Sequence, residues 1–354
     1  MRVGNLMENE GMDLEFDFSS TYTDNFPSIL AGLKISLAVT SYQSKRFFFI
    51  RSDGNEVSTN FKSFPRPMGL AVDKDQITLG TWSEVLKFNR HDSVISKLDD
   101  NEKVDACYMP QAKHVTGMIN IHDIAYGKDG LWVTNSAFSC LSMLTSGYNF
   151  IPKWKPPFIS ELKPEDRCHL NGMAMRDGRP RYVTTFSKFD SAKSWKSSET
   201  FDGTIIDVDT DEILLDGLIM PHSPRYYNDK VYFCESGRGL VCSLNPQTRE
   251  VETIAKLDGF TRGMSFYGPL MFVGLSKIRV SDITRRIPLT EELDETRSGI
   301  WIINLEDNSV IGNIDFKGDV DQIYDVGVIE DVTYPELVEF NNELVRNSFK
   351  FTQL

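Results

Sequence analysis

The sequence predicts an all-β fold: a single six-bladed β-propeller closed by strands from both ends of the chain, with a short C-terminal helix. Three observations lead there. A strand–turn–strand unit recurs about every fifty residues, its sixth copy is cut short, and the strands it lacks stand near the N-terminus.

The repeat is visible in "RPMGLAVDKDQITLGT" from Arg66, "NIHDIAYGKDGLWVTNS" from Asn120 and "HLNGMAMRDGRPRYVTTFS" from His169. It continues in "PHSPRYYNDKVYFCES" from Pro221, "FTRGMSFYGPLMFVGLS" from Phe260 and "VDQIYDVGVIED" from Val320. The first five share one plan: a polar or small start, a short apolar strand, a turn with Asp, Asn or Gly, and a second strand rich in aromatic and β-branched residues. Such turn residues tolerate positive φ and close tight hairpins. With Met68, His122, Asn171, Ser223, Arg262 and Gln322 as anchors, the spacings are 54, 49, 52, 39 and 60 residues. That is the scale of a four-stranded blade. Further strands fit between the anchors, for example "GTIIDVD" with "EILLDGL", and "GLVCSLN" with "EVETIAKL".

The sixth unit stops after "IYDVGVIED", where "YPELVEFNNELVRNSF" reads as a helix. "KISLAVTSY", "KRFFFIRS" and "EVSTNFKSF" supply three strands without an innermost one. Joining the two ends closes the ring and removes exposed sheet edges. The expected organisation is an acidic, flexible N-terminal segment over 1–25, a propeller over 26–332 and a helical tail over 333–354.

Composition limits the function. The 354 residues carry a net charge of −13, which argues against a general nucleic-acid or anionic-membrane binder. No run of 18 apolar residues occurs, and the N-terminus has acidic residues where a signal peptide needs its apolar core. A cytoplasmic location is therefore expected, and the five cysteines, with no CxxC pair, read as free thiols. Nothing resembles a Walker loop, a dinucleotide fingerprint or a GxSxG elbow, so no nucleotide or organic cofactor is expected.

In a propeller the innermost strands all start at one mouth of the central channel. The residues there are Arg66, His122, His169, Asn171, His222, Arg262, Asp321 and Gln322, including three of the five histidines. The ends of the second strands add Asn135, Ser187, Glu235 and Lys277. A single such histidine is readily explained as a strand-end imidazole satisfied by backbone groups; three together suggest a ligand site. Neutral imidazoles are common metal ligands, so His122, His169, Asn171, His222 and Gln322 are candidates for a Mn²⁺, Mg²⁺, Ca²⁺ or Zn²⁺ centre. Without metal, His122, His169 or His222 would act as acid or base, with Glu235 as a further candidate that could equally pair with Arg238. Arg66 and Arg262 would hold a carboxylate or phosphate, with Asn135, Trp154 and Lys277 as further contacts. His91 and His114 fall outside this phase and read as surface or loop residues.

Two connections are long enough to cover the mouth. "GYNFIPKWKPPFISELKPEDRC", within 147–168, is rich in proline and aromatics and carries Trp154. The second, within 276–299, carries Arg279, Arg285, Arg286 and Arg297 among acidic residues. It reads either as a cationic lid or as a solvated, self-paired excursion.

"MGLAVDKDQITLGT", "HDIAYGKDGLWVTNS" and "NGMAMRDG" resemble strand pairs of the gluconolactonase, strictosidine synthase and virginiamycin B lyase propellers. In lactonases of that group an asparagine opening an inner strand binds a divalent cation, and Asn171 matches it. His222-Ser223 stands where they place an aspartate, and their N-terminal glutamate has no clear counterpart. The histidine-rich site looks more like the metal centre of oligogalacturonate lyase-type propellers. "IHDIA", "HLNGMA", "MPHSPR" and "GFTRGM" also resemble a bacterial propeller family of unknown function, across nearly the whole chain.

The expected activity is acid/base chemistry, as a metal-assisted lyase, isomerase or hydrolase, on a small carboxylated or sugar-derived molecule. The alternative is a non-catalytic propeller binding a peptide, glycan or protein at the same face.

Overall fold

The computed structural model describes residues 16–99, 101–198, 200–279 and 286–352. Its strands form six sheets, a six-bladed propeller. Blade 1 runs outward from Asp325–Glu330 through Ile35–Ser41 and Arg46–Ser52 to Val57–Ser63. Blade 2 comprises Leu70–Val72, Gln76–Gly80, Glu84–Arg90 and Ala106–Val115, with Pro335–Leu337 added in parallel outside. Blade 3 comprises Ile121–Gly127, Gly130–Asn135, Cys140–Leu144 and Ile151–Trp154. Blade 4 comprises Leu170–Arg176, Arg179–Thr185, Gly203–Asp207 and Ile213–Leu218. Blade 5 comprises Pro221–Tyr227, Lys230–Glu235, Leu240–Leu244 and Val251–Lys256. Blade 6 comprises Phe260–Tyr267, Leu270–Ser276, Gly299–Asn304 and Ser309–Phe316, edged by Ser20–Tyr22.

Ring closure is as expected. The C-terminal strand Asp325–Glu330 pairs antiparallel with Ile35–Ser41, from Thr40 opposite Asp325 to Ile35 opposite Glu330. Each inner strand packs against the inner strands of the blades on either side, and the series returns to its start.

The strand Arg46–Ser52 of blade 1 lacks the polar–apolar alternation of a half-exposed sheet, and its packing shows why. Phe48 and Ile50 face a core shared with Phe272 and Ile300 of blade 6. Phe47 and Phe49 point the other way, into a core with Ile77 and Leu79 of blade 2. Successive side chains take opposite faces, and here both faces are covered by neighbours. Burying each such side chain contributes roughly 1.5–3 kcal/mol.

The ends differ in detail from expectation. The tail expected as a helix over 333–354 first forms the edge strand Pro335–Leu337, and its helical part is one 3-10 turn, Glu343–Arg346. Proline biases the residue before it towards extended backbone, and the Asp105 carboxylate accepts the Thr333 and Tyr334 N–H groups at 2.7 and 2.8 Å. Of the N-terminal segment, residues 1–15 lie outside the described residues. The remainder is held to blade 6 by Ser20–Tyr22 and leads into the helix Phe26–Leu33, which buries Phe26 and Leu30. All five cysteines are buried and unpaired. Among the described residues no helix is long and apolar enough to cross a membrane.

Inner strands approach closely at the axis. Gly263 has φ +76°, and a Cβ there would lie 2.8 Å from Asp325 Cα. Gly263→Ala is therefore expected to destabilise the protein by roughly 1–3 kcal/mol, read as a lowered urea midpoint.

Candidate functional site

The chain enters four inner strands through a residue in the left-handed region: Arg66, Asn120, His169 and Met220, with φ of 52°, 56°, 50° and 52°. Left-handed backbone is unfavourable for side chains with a Cβ, so its recurrence marks one structural position in the repeat. Two residues further on stand Met68, His122, Asn171 and His222. Strand registers place Arg262 of blade 6 and Tyr324 of blade 1 at this second position.

These residues line an axial cavity of about 430 Å³, with Asn171 alone set deeper in a small cavity beneath. Tyr42 and Arg279 complete one side. Phe186, Trp195 and Lys196 form another wall, from the excursion after the second strand of blade 4. Trp195 and Phe186 are anchored in a core with Ile287 and Leu289 of the 286–298 segment.

Two histidines use the same local device. His122 Nδ1 faces the Asn120 carbonyl at 2.9 Å and Ser136 Oγ at 2.7 Å. His222 Nδ1 faces the Met220 carbonyl at 2.9 Å and Ser236 Oγ at 2.8 Å. Each serine donates its single proton to the next blade's inner strand, Ser136 to the Leu170 carbonyl and Ser236 to the Thr261 carbonyl. Every group around Nδ1 therefore accepts, so Nδ1 carries the proton. Burial holds both imidazoles well below the usual histidine range, reinforced at His122 by His169, Arg262 and Arg66, and at His222 by Arg262 and His122. Both are neutral at pH 7, with Nε2 unprotonated.

His169 is built differently. Its Nδ1 donates to the Asp166 carboxylate at 2.8 Å, and its ring lies between His122 and Trp195, with centroids 4.6 and 4.1 Å away. A carboxylate fixing Nδ1–H leaves Nε2 as the nitrogen available for proton exchange.

Arg262 is the central cation. It is 5% exposed, lies over Tyr324 at 4.1 Å and Tyr42 at 5.6 Å, and buries Nε and Nη1 without a hydrogen-bond partner. Burial raises the Tyr42 hydroxyl, but the Arg262 and Arg279 guanidiniums outweigh it and bring the group below the usual tyrosine range. Arg66 donates to Asn120 Oδ1 at 3.2 Å and lies over Trp82. Among the described residues, Arg66, Arg262, Arg279 and Lys196 are the cationic lining, against the one carboxylate of Asp166.

Below the pocket an ion network crosses the axis. Arg225 of blade 5 reaches Asp123 of blade 3 at 2.8 Å and Asp325 of blade 1 at 3.4 Å. Burial pushes Asp325 up to about 7, against the pull of Arg225 and aided by repulsion from Asp123.

Of the expected site residues, His122, His169, His222, Arg66 and Arg262 meet at this cavity. The others do not line it. Glu235 accepts from the Ile219 N–H and pairs with Arg238 at 3.1 Å. Asn135 is buried and caps the Phe138 N–H. Trp154 lies on the outermost strand of blade 3 and donates to Asp211, because the expected 147–168 loop contains that strand; only Asp166 of the loop reaches the pocket. Lys277 pairs with Asp321 at 2.6 Å. Gln322 accepts from Tyr42 Oη and donates to the Lys277 carbonyl, because the blade 1 register puts Tyr324 at the inward position. A one-residue correction in blade 5, beside the two-residue one in blade 1, replaces Ser223 by His222.

Among the described residues, no group of three or more His, Cys, Asp or Glu side chains is arranged to hold a metal ion. The five expected ligands are dispersed, with Asn171 below the pocket and Gln322 turned away. The arginines that disfavour a proton on His122 and His222 oppose a cation there too. Arg279 lines the cavity, Arg297 pairs with Asp315, Arg286 lies outside the cavity, and Arg285 is outside the described residues. His91 and His114 lie away from it, in blade 2.

Sequence reasoning missed Asp166, Tyr42, Trp195, Tyr324, Ser136 and Ser236. The two serines had a signal, since each follows its histidine by 14 residues.

Fold and site together define a six-bladed propeller with an arginine- and histidine-lined axial pocket. Residues 24–338 match the family described as a domain of unknown function, DUF4915, and the chain belongs to that family. No curated protein matches the chain in sequence. A solved structure of a nidogen/laminin complex is similar in fold, with TM-score 0.52 and 8% identity over 84% of this chain and 99% of the other. A protein of unknown function from Bacteroides caccae has TM-score 0.52 and 10% identity, over 83% and 98%.

Asp325 binds its proton more tightly when folded than when unfolded, so its contribution to stability falls as pH rises from about 4 through 7. The stability difference between wild type and Asp325→Asn, from urea unfolding at pH 5 and pH 8, is expected to move in favour of the variant at pH 8.

Proposed function

We propose that the axial pocket binds a small carboxylated or phosphorylated molecule and moves a proton on it. One observation carries the reading: Arg262 is buried in the cavity wall with two donor nitrogens, Nε and Nη1, lacking hydrogen-bond partners. Unsatisfied buried donors on a guanidinium are costly, and an anion seated in the cavity would relieve that cost. Arg66 and Arg279 add positive charge around the same space, in a protein whose net charge is −13. A local field of opposite sign to the whole molecule favours small anions over large acidic partners.

His169 is the acid/base in this proposal, with Asp166 as its positioning residue. Asp166 sets the tautomer and leaves Nε2 as the nitrogen that takes and returns the proton. Arg262 and Arg66 orient the anion and neutralise charge that develops beside it.

A second reading is a partner-binding face. Trp82, Met118 and Tyr148 are exposed near where blade 2 meets blade 3, with Arg66 against Trp82, and a propeller of this fold occurs in a nidogen/laminin complex. A peptide or protein could use that rim without chemistry in the pocket.

Calorimetric titration with a panel of small carboxylates and phosphates separates the two. Arg262→Met is expected to weaken the tightest-binding anion by about 10–100-fold, the loss of a charge-assisted hydrogen-bonding group. Turnover of that anion, followed by proton NMR in D₂O, is expected to fall by about 100-fold or more in Asp166→Asn. Neither product nor hydrogen exchange with wild-type protein would reduce the site to binding alone; no anion bound would leave the partner-binding face.

A further inference from the structure

The hydrogen-bond inventory of the pocket specifies more than a negative charge. His222 is 2% exposed, and its Nε2 is buried without a hydrogen-bond partner. The Met220 carbonyl and Ser236 Oγ force the proton onto Nδ1, because Ser236 has already given its own to the Thr261 carbonyl. Nε2 is consequently an acceptor, held bare, and burial and the nearby Arg262 keep it from gaining a proton. His122 carries the same arrangement with Asn120 and Ser136 in blade 3. Both histidines line the same cavity as Arg262, whose Nε and Nη1 are donors without acceptors.

These requirements are opposite in kind. Arg262 can only donate, so it calls for an acceptor; a neutral imidazole with its proton fixed on the far nitrogen can only accept, so it calls for a donor. A simple carboxylate, or a phosphate monoester in its dianionic form, satisfies the first and leaves the second unmet. An ammonium would satisfy the second, but it would face Arg262, Arg66 and Arg279 across the cavity. A neutral hydroxyl meets the need without that repulsion. The small cavity beneath, lined by Asn171, His122, His222 and Arg262, is too small for a ligand, so the ligand lies above it.

We propose that the ligand of the axial pocket is a hydroxylated anion, with its carboxylate or phosphate on Arg262 and a hydroxyl donating to Nε2 of His222. This rests on the anion-binding reading and narrows it to sugar acids, other hydroxy acids and polyol or sugar phosphates. Ser136 and Ser236 are positioning residues: they touch no ligand and set which nitrogen of each histidine does.

The test uses the full chain and matched pairs at pH 7.5. Gluconate is titrated against hexanoate, and glycerol 3-phosphate against propyl phosphate, so the pairs also distinguish carboxylate from phosphate. The hydroxylated member of at least one pair is expected to bind about 10-fold tighter or more, because a site built to accept from a hydroxyl disfavours the analogue lacking it. In His222→Phe, which keeps a ring among Phe186 and Phe260, the ratio within that pair is expected to fall towards one. Independently of any variant, ¹⁵N NMR of the wild-type histidines is expected to show His222 protonated at Nδ1 and bare at Nε2, and Ser236→Ala to redistribute the two tautomers. Equal binding within both pairs overturns the hydroxyl requirement and leaves the anion reading standing. Binding by none of the four compounds overturns both. A proton found on Nε2 of His222 overturns this inference alone.

Discussion

The pairing of Asp325–Glu330 with Ile35–Ser41 is the constraint on which the other features depend. The strands of blade 1 come from opposite ends of the sequence, so the ring exists only when those ends meet. Closure removes the free edges of an open stack of sheets. It also gives each inner strand two neighbours and brings Tyr324 and Asp325 to the axis. Without that strand, Arg225 would lose one carboxylate partner, and Arg262 would lose the Tyr324 ring beneath it.

Closure also turns a linear repeat into a radial site. Residues about fifty positions apart in sequence become neighbours around one cavity, and the left-handed residue before four inner strands repeats the same entry geometry. The Ser–His device shows how stability and chemistry are joined. Ser136 ties blade 3 to blade 4 and Ser236 ties blade 5 to blade 6, each through the hydroxyl that fixes its imidazole. A serine that links two blades thus also sets which histidine nitrogen carries the proton. Second contacts of this kind hold a catalytic or binding side chain to one tautomer at no cost in mobility.

The electrostatics divide along the axis. At the mouth, among the described residues, cationic side chains outnumber the one carboxylate, Asp166, which is occupied by His169. Beneath it, two buried carboxylates share Arg225, and burial of this excess negative charge raises Asp325. A protein acidic overall thereby presents a locally positive cup, with its buried acids held one layer lower. Neutral histidines between the layers add acceptors without adding charge.

The repeat spacing, the tight hairpin turns and the complementary ends were legible in the sequence, because strand pairing within a blade is local and its turn chemistry is written in adjacent residues. That was enough for the propeller, its closure and the meeting of His122, His169, His222, Arg66 and Arg262 at one mouth. Phase was not legible. A shift of one or two residues reverses or displaces a strand's side chains, and only the paired register shows Tyr324 in place of Gln322 and His222 in place of Ser223. The second strand ends were overread for the same reason: Glu235, Asn135 and Lys277 end strands near the mouth, yet they turn to caps and ion pairs. The sequence by itself determined which residues could reach the axis, since a period of about fifty forces equivalence of position. Only the tertiary structure decided which of them face the cavity and in what hydrogen-bonding state, because Asp166, Ser136 and Ser236 act through contacts that form only once the ring is closed.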